Sequence, residues 1–165
     1  MNIFKSFIRK IIFRETIVCL AIVIFIFIID RVSKIKIINE QLNSNSLFIN
    51  DYLNFDLVWN TGISFGLFSQ NANIYYHTIS FIIFLVIVFL SYIISRAVFF
   101  DKILFSLILG GAIGNFFDRI YYFAVPDFID IHVNNFHWFT FNIADIFITM
   151  GVILLIIKDL KLNKK

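Results

Sequence analysis

The 165-residue chain is 60% hydrophobic and 15% charged, against roughly 45–50% and about 25% in soluble domains. That much apolar surface excludes a free-standing soluble enzyme and calls for lipid as its cover. The net charge of +3 comes from lysines and arginines flanking apolar runs rather than from a patch, which excludes a nucleic-acid-binding role.

Four apolar runs are long enough, or nearly so, to cross a bilayer at about 17–25 residues each: roughly 11–29, 74–94, 103–117 and 143–157. The last two are short, and the polar residues at their outer ends (Asn115, Asp118, Asn142, Asp145) complete the crossing if they face protein or water. The expectation is one integral-membrane domain over 1–165: an all-α fold of four transmembrane helices with a small outward β-sheet or loop subdomain. Lys5, Arg9, Lys10 and Arg14 precede the first run, Arg96 and Lys102 separate the second and third, and Lys158, Lys161, Lys164 and Lys165 follow the fourth. The positive-inside rule then puts both termini in the cytoplasm and segments 31–73 and 118–142 outside.

The first run begins like a signal peptide, but no small-x-small cleavage site follows, so it reads as an uncleaved span. Its single cysteine, Cys19, excludes an intrachain disulfide or a cysteine metal cluster and reads as a small buried hydrophobe. Just beyond it, Asp30 and Lys34 stand at i and i+4, the spacing of a helix-end ion pair. Segment 31–73 is too long for a mere connector. Within it Leu53, Phe55, Leu57 and Trp59 alternate with Asn54, Asp56 and Asn60, the period of a strand. Asn60-Thr61-Gly62 reads as a turn, with Asn60 a hydrogen-bonding candidate.

In the third run Gly110 and Gly114 form a G-x-x-x-G pair that lets helix backbones approach closely in lipid. Gly111, Asn115 and Asp118 share one helical face. After Pro126, Ile129, Ile131 and Val133 alternate with Asp130, His132 and Asn134 as a second strand. In the fourth run Asn142, Asp145 and Thr149 again share a face. Two polar stripes at the outer ends of adjacent antiparallel helices predict a narrow polar cleft.

Ionisable groups at membrane depth are expensive and read as functional, and the partner expected for each of Asp118 and Asp145 is the other. Two carboxylates at one site carry out acid–base chemistry on water. Asp145, at the positive N-terminal end of its helix, is expected to be the base. Asp118, at a C-terminal end, is expected to carry the proton, a bias that Arg119 opposes. Separate bland readings exist: an Asp118–Arg119 ion pair and a helix cap at Asp145. Ser64 lacks an obvious histidine base, Ser33-Lys34 lacks an oxyanion hole, and His77, His132 and His137 lack metal-ligand spacing.

An ordered series of motifs resembles bacterial lipoprotein signal peptidase, or signal peptidase II. It comprises Asp30-Arg31-Val32-Ser33-Lys34, Asn60-Thr61-Gly62-Ile63-Ser64-Phe65-Gly66, Gly110 through Arg119, Val125-Pro126-Asp127-Phe128-Ile129-Asp130 and Phe141-Asn142-Ile143-Ala144-Asp145. The resemblance implies a multi-pass aspartic endopeptidase of the bacterial cytoplasmic (inner) membrane, active near its outer face. It would cleave diacylglyceryl-modified prolipoproteins just before the lipidated cysteine. Carried over, Asp118 and Asp145 are the catalytic dyad. Asn60, Asn115, Arg119 and Asn142 position the peptide, and Asp30 and Lys34 support substrate binding or the fold. It further implies a monomer in contact with membrane lipid, inhibition by globomycin-type cyclic peptides, and no metal or organic cofactor. Phe139 stands where the family usually has proline, Ile63-Ser64 where it commonly has two alanines, and bulky Ile146-Phe147 follow Asp145.

Two other classes compete. A proton-relay carrier needs polar residues along a crossing path, which the apolar first two runs lack. A non-catalytic assembly subunit would tolerate Asp145→Asn, as a peptidase would not.

Overall fold

The computed structural model describes residues 2–41, 47–62, 72–134 and 136–162. Four helices and four strands follow in the order α1 (Asn2–Gln41), β1 (Leu47–Asn50), β2 (Leu53–Asn60), α2 (Ala72–Arg96), α3 (Phe99–Tyr122), β3 (Val125–Val133), β4 (Phe136–His137) and α4 (Ile143–Leu162). Three of the described helices, Phe13–Gln41, Tyr76–Arg96 and Phe99–Tyr122, are long and apolar enough to cross a membrane. α4 has 20 residues, about 30 Å, with Asp145 in its first turn and Lys158, Asp159 and Lys161 in its last two turns. The expected helical membrane architecture with a small sheet is therefore present.

α3 is the central helix and packs against α1, α2 and α4. Half of its apolar window is buried, against 6% for α2. Phe81, Ile82, Leu85, Val88 and Phe89 of α2 point outward, as lipid-facing side chains do. Hydroxyls on α2 and α3 turn back onto their own helix: Ser80, Ser91 and Ser106 each donate to the carbonyl four residues earlier. The hydrogens of these three hydroxyls are thereby kept from facing hydrocarbon. At the start of α3 Lys102 pairs with Glu15 at 2.8 Å and Asp101 with Lys158, tying α1 and α4 to it.

The glycines of α3 serve two neighbours. A Cβ on Gly111 would lie 2.5 Å from the Ala144 carbonyl oxygen of α4, and one on Gly114 2.7 Å from an Asp30 carboxylate oxygen of α1. The Ala144 backbone has no rotamer with which to yield. Gly111→Ala is therefore expected to cost about 1–3 kcal/mol through forced separation of α3 and α4, measured as a lower melting temperature in micelles.

The strands form one antiparallel sheet in the order β1-β2-β3-β4. β2 occupies the stretch whose alternation predicted it. Its ladder to β3 slips between Phe55 and Val58, and the Gln41 amide, at the end of α1, caps the irregularity. Its Nε2 donates to the Phe55 carbonyl and its Oε1 accepts from the Leu57 N–H, both at 2.7 Å. Ile37, Phe128 and Ile129, flanked by Leu53, Phe55 and Phe141, make the core under the sheet.

The facing of β3 differs from its pattern. Ile131 and Val133 are exposed, whereas Asp127, Asp130 and His132 are buried. Asp127 and Asp130 find hydrogen-bond partners inside the protein, and the apolar side chains join exposed Phe136, Trp138 and Phe139, a composition suited to a membrane interface.

Candidate active site

α1 continues as helix through Asp30–Gln41 because its polar residues there are partnered rather than hydrated. Asp30, Arg31, Lys34 and Ile37 are buried while Val32, Ile35 and Lys36 are exposed, a 3.6-residue periodicity that lays one polar face on α3. Lys34 Nζ, with no exposure, donates to Asp30 Oδ2 at 2.7 Å, Asn115 Oδ1 at 2.9 Å and Asp118 Oδ2 at 2.6 Å. Those bonds use all three of its protons. Asp30 Oδ1 accepts the Ala144 N–H at 3.0 Å, so α1 also ties down the first turn of α4.

Both oxygens of Asp118 are engaged by cations. Arg31 Nη1 donates to its Oδ1 and Lys34 Nζ to its Oδ2, and it is wholly buried. Arg31 is itself held by the Tyr122 hydroxyl at 3.3 Å and by the Phe117 and Tyr122 rings. The cationic partners of Asp118 are thus on α1. Arg119 is not among them, because neighbouring residues on a helix do not face each other. It donates to the Thr61 carbonyl at 3.3 Å and lies over the Tyr76 ring, with Gly62 against its guanidinium.

A second layer, of two carboxyl groups held by amides, lies next to this ionic one. Asn142 and Asp145 form a capping box at the start of α4. The Asp145 N–H donates to Asn142 Oδ1, and the Asn142 N–H to Asp145 Oδ2, each at 3.1 Å. Asn115 Nδ2 donates to Asp145 Oδ1 at 2.8 Å. Asn142 Nδ2 donates to Asn115 Oδ1 at 3.1 Å and to Asp127 Oδ1 at 2.6 Å. Asn60 Nδ2 completes the cluster by donating to Asp127 Oδ2 at 2.9 Å.

Asp127 is the residue sequence reasoning passed over. It is 3% exposed, and both of its oxygens are held by neutral amides, so no cation is bonded to it. Burial raises its pKa above the ordinary aspartate value. The Asn60 and Asn142 donors pull it down, and the Asp145 charge nearby pushes it up again. Its signal was present in Val125-Pro126-Asp127, where the strand alternation drew attention to the next aspartate instead.

Of the expected site residues, Asn60, Asn115, Asn142 and Asp145 converge around Asp127. Asp30, Lys34 and Asp118 form the ionic layer, with Asn115 shared between the two, and Arg119 lies to one side against the Thr61–Gly62 turn. Residues 63–66 of the Asn60–Gly66 motif, Ser64 included, lie outside the described residues. Beside Asp145 an apolar groove of about 410 Å³ runs along α4, lined by Phe139, Phe141, Ile146, Thr149, Met150 and Ile153 among others.

Residues 22–161 match the family model for signal peptidase (SPase) II. The chain belongs to the signal peptidase II family. The lipoprotein signal peptidase of Pelagibacter ubique is 46% identical over 148 residues, 88% of this chain and 89% of that one. The one from Anaplasma phagocytophilum is 36% identical over 151 residues, 90% and 95% of the two chains. Among solved structures, a bacterial membrane enzyme determined by the in meso method at 1.9 Å resolution superposes with a TM-score of 0.73 at 32% identity, covering 87% of this chain and 93% of that one. As a member of a signal-peptidase family with apolar spanning helices, the chain is a membrane protease, and the resemblance in its motifs is borne out.

Proposed function

We propose that this signal peptidase II is an aspartic endopeptidase acting on diacylglyceryl-modified prolipoproteins and cutting before the lipidated cysteine. Its dyad is Asp127 and Asp145 rather than Asp118 and Asp145. The observation that carries this reading is the Asn142 side chain, whose amide holds Asp127 while its carbonyl oxygen caps Asp145 at the mouth of the apolar groove. The two carboxyl groups are close enough for the Asp145 charge to raise the Asp127 pKa. Asp118, both of whose oxygens are bonded to the cations Arg31 and Lys34, serves the scaffold instead.

In this mechanism Asp127 holds a proton, the form that burial favours, and directs it to the scissile carbonyl. Asp145, anchored by Asn115 and its helix N-terminus, accepts the proton of the attacking water. The developing oxyanion then meets a donor in a site from which bulk water is largely excluded. A diacylglyceryl chain or apolar signal-peptide side chains fit the groove of Phe139, Phe141, Ile146, Met150 and Ile153, which brings the bond beside the cysteine up to Asp145. α4 is the fourth span, the termini are cytoplasmic, and the sheet and site face outward in the inner membrane. The same reading makes the chain a monomeric single domain open to globomycin-type cyclic peptides.

The test is cleavage of a diacylglyceryl-modified prolipoprotein by the purified protein in micelles, with the product mapped by mass spectrometry. The expected result is one cut directly before the modified cysteine and none in the unmodified precursor. Cleavage elsewhere, or indifference to the lipid, contradicts the assignment.

A pH consequence follows from the Asn60 contact. Turnover on this reading falls at alkaline pH as Asp127 loses its proton. The Asn60 amide stabilises the carboxylate, so deleting it in Asn60→Ala raises the Asp127 pKa further. The alkaline limb of kcat is expected to move to higher pH; a shift to lower pH would oppose the role given to Asp127.

A further inference from the structure

The β3–β4 hairpin gathers three groups that the mechanism leaves unused. His132 and His137 are direct cross-strand partners, so their side chains share one face of the sheet. Asp130, two residues before His132, lies on that face as well. The sequence spacing between the histidines carries no metal signature; antiparallel pairing creates one.

The ligand atoms of Asp130, His132 and His137 all lie within 4.8 Å of one another. His137 Nδ1 is 2.8 Å and His132 Nδ1 3.6 Å from the same oxygen, Asp130 Oδ2. Ligands at about 2.0–2.1 Å from a tetrahedral zinc ion are spaced about 3.3 Å apart, so these separations bracket the required value. His132 is 9% exposed, and its Nδ1 is buried without a hydrogen-bond partner. A buried imidazole nitrogen left unpaired beside a buried carboxylate is costly unless something else binds there. His137 is exposed, which opens the cluster to incoming ions.

We propose that Asp130, His132 and His137 bind a divalent transition-metal ion of the zinc type on the outward hairpin. Two imidazoles and one carboxylate are a donor set for such ions, and water completes the shell on the open side of His137. A bound ion clamps β4 onto β3. Three residues separate β4 from Phe141, which pairs with Ile129, and Asn142 follows. The clamp thereby holds the segment carrying Asn142 against the strand carrying Asp127. That consequence for turnover rests on the proposed dyad; metal binding does not.

The test uses the untagged full chain in micelles, stripped with a chelator and titrated with zinc(II) in a calorimeter. Cobalt(II) absorption serves as a second readout of the ligand field. One equivalent is expected to bind, with affinity at least about tenfold lower in His137→Ala and in Asp130→Asn. His77→Ala, a histidine on α2 outside the hairpin, is expected to bind as the wild type does. Absence of zinc uptake by the wild type, or unchanged affinity in both hairpin variants, would overturn the proposal.

Discussion

Lys34→Met is expected to cost about 3–5 kcal/mol of stability, because it leaves the carboxylates of Asp30 and Asp118 buried without their shared cation. The three Nζ bonds run to α1 itself and twice to α3, and Asp30 in turn holds the Ala144 N–H of α4. Loss of Lys34 therefore loosens three helices together. Lys34→Arg is not a rescue: a planar guanidinium cannot direct protons to three acceptors arranged around one point, and Gly114 packs directly against Asp30. Thermal unfolding in micelles checks both variants. A Lys34→Met melting temperature near that of the wild type would mean that the ionic layer is not what joins the helices.

Asp127→Asn and Asp145→Asn are each expected to lose at least about a thousandfold in turnover, the scale of removing a positioned acid or base together with its partner's role. Stability should separate from activity here. Both Asp127 oxygens accept only from the Asn60 and Asn142 amides, so replacing the residue strands no opposite charge. Asparagine retains one acceptor oxygen, but its Nδ2 meets an amide donor, so one hydrogen bond is lost at a cost of about 1 kcal/mol and the melting temperature should fall only slightly. At Asp145 the same change removes half of the capping box, with a cost of about 1 kcal/mol.

The helices were legible because lipid demands long apolar runs, and β2 because a sheet imposes a two-residue alternation. β1 and β4, of 4 and 2 residues, are too short to show one. The length of α1 was hidden because Asp30, Arg31 and Lys34 resemble the end of a span. Only their partners on α3, 81 to 87 residues away, show that the helix continues with that face buried. The same sequence separation explains the choice of Asp118. A carboxylate at membrane depth demands a partner, and nothing in the local sequence reveals that Arg31 and Lys34 supply it. Once both cations are on Asp118, Asp127 is the carboxyl group beside Asp145 that remains bound by neutral amides.

The most direct test of the central claim compares Asp118→Asn with Asp127→Asn, measuring thermal stability and cleavage of a diacylglyceryl-modified prolipoprotein on the same folded preparations. The account predicts a lowered melting temperature with residual cleavage for Asp118→Asn, and a near-normal melting temperature with no cleavage for Asp127→Asn. Normal cleavage by Asp127→Asn, or complete inactivity of a fully stable Asp118→Asn, would contradict it.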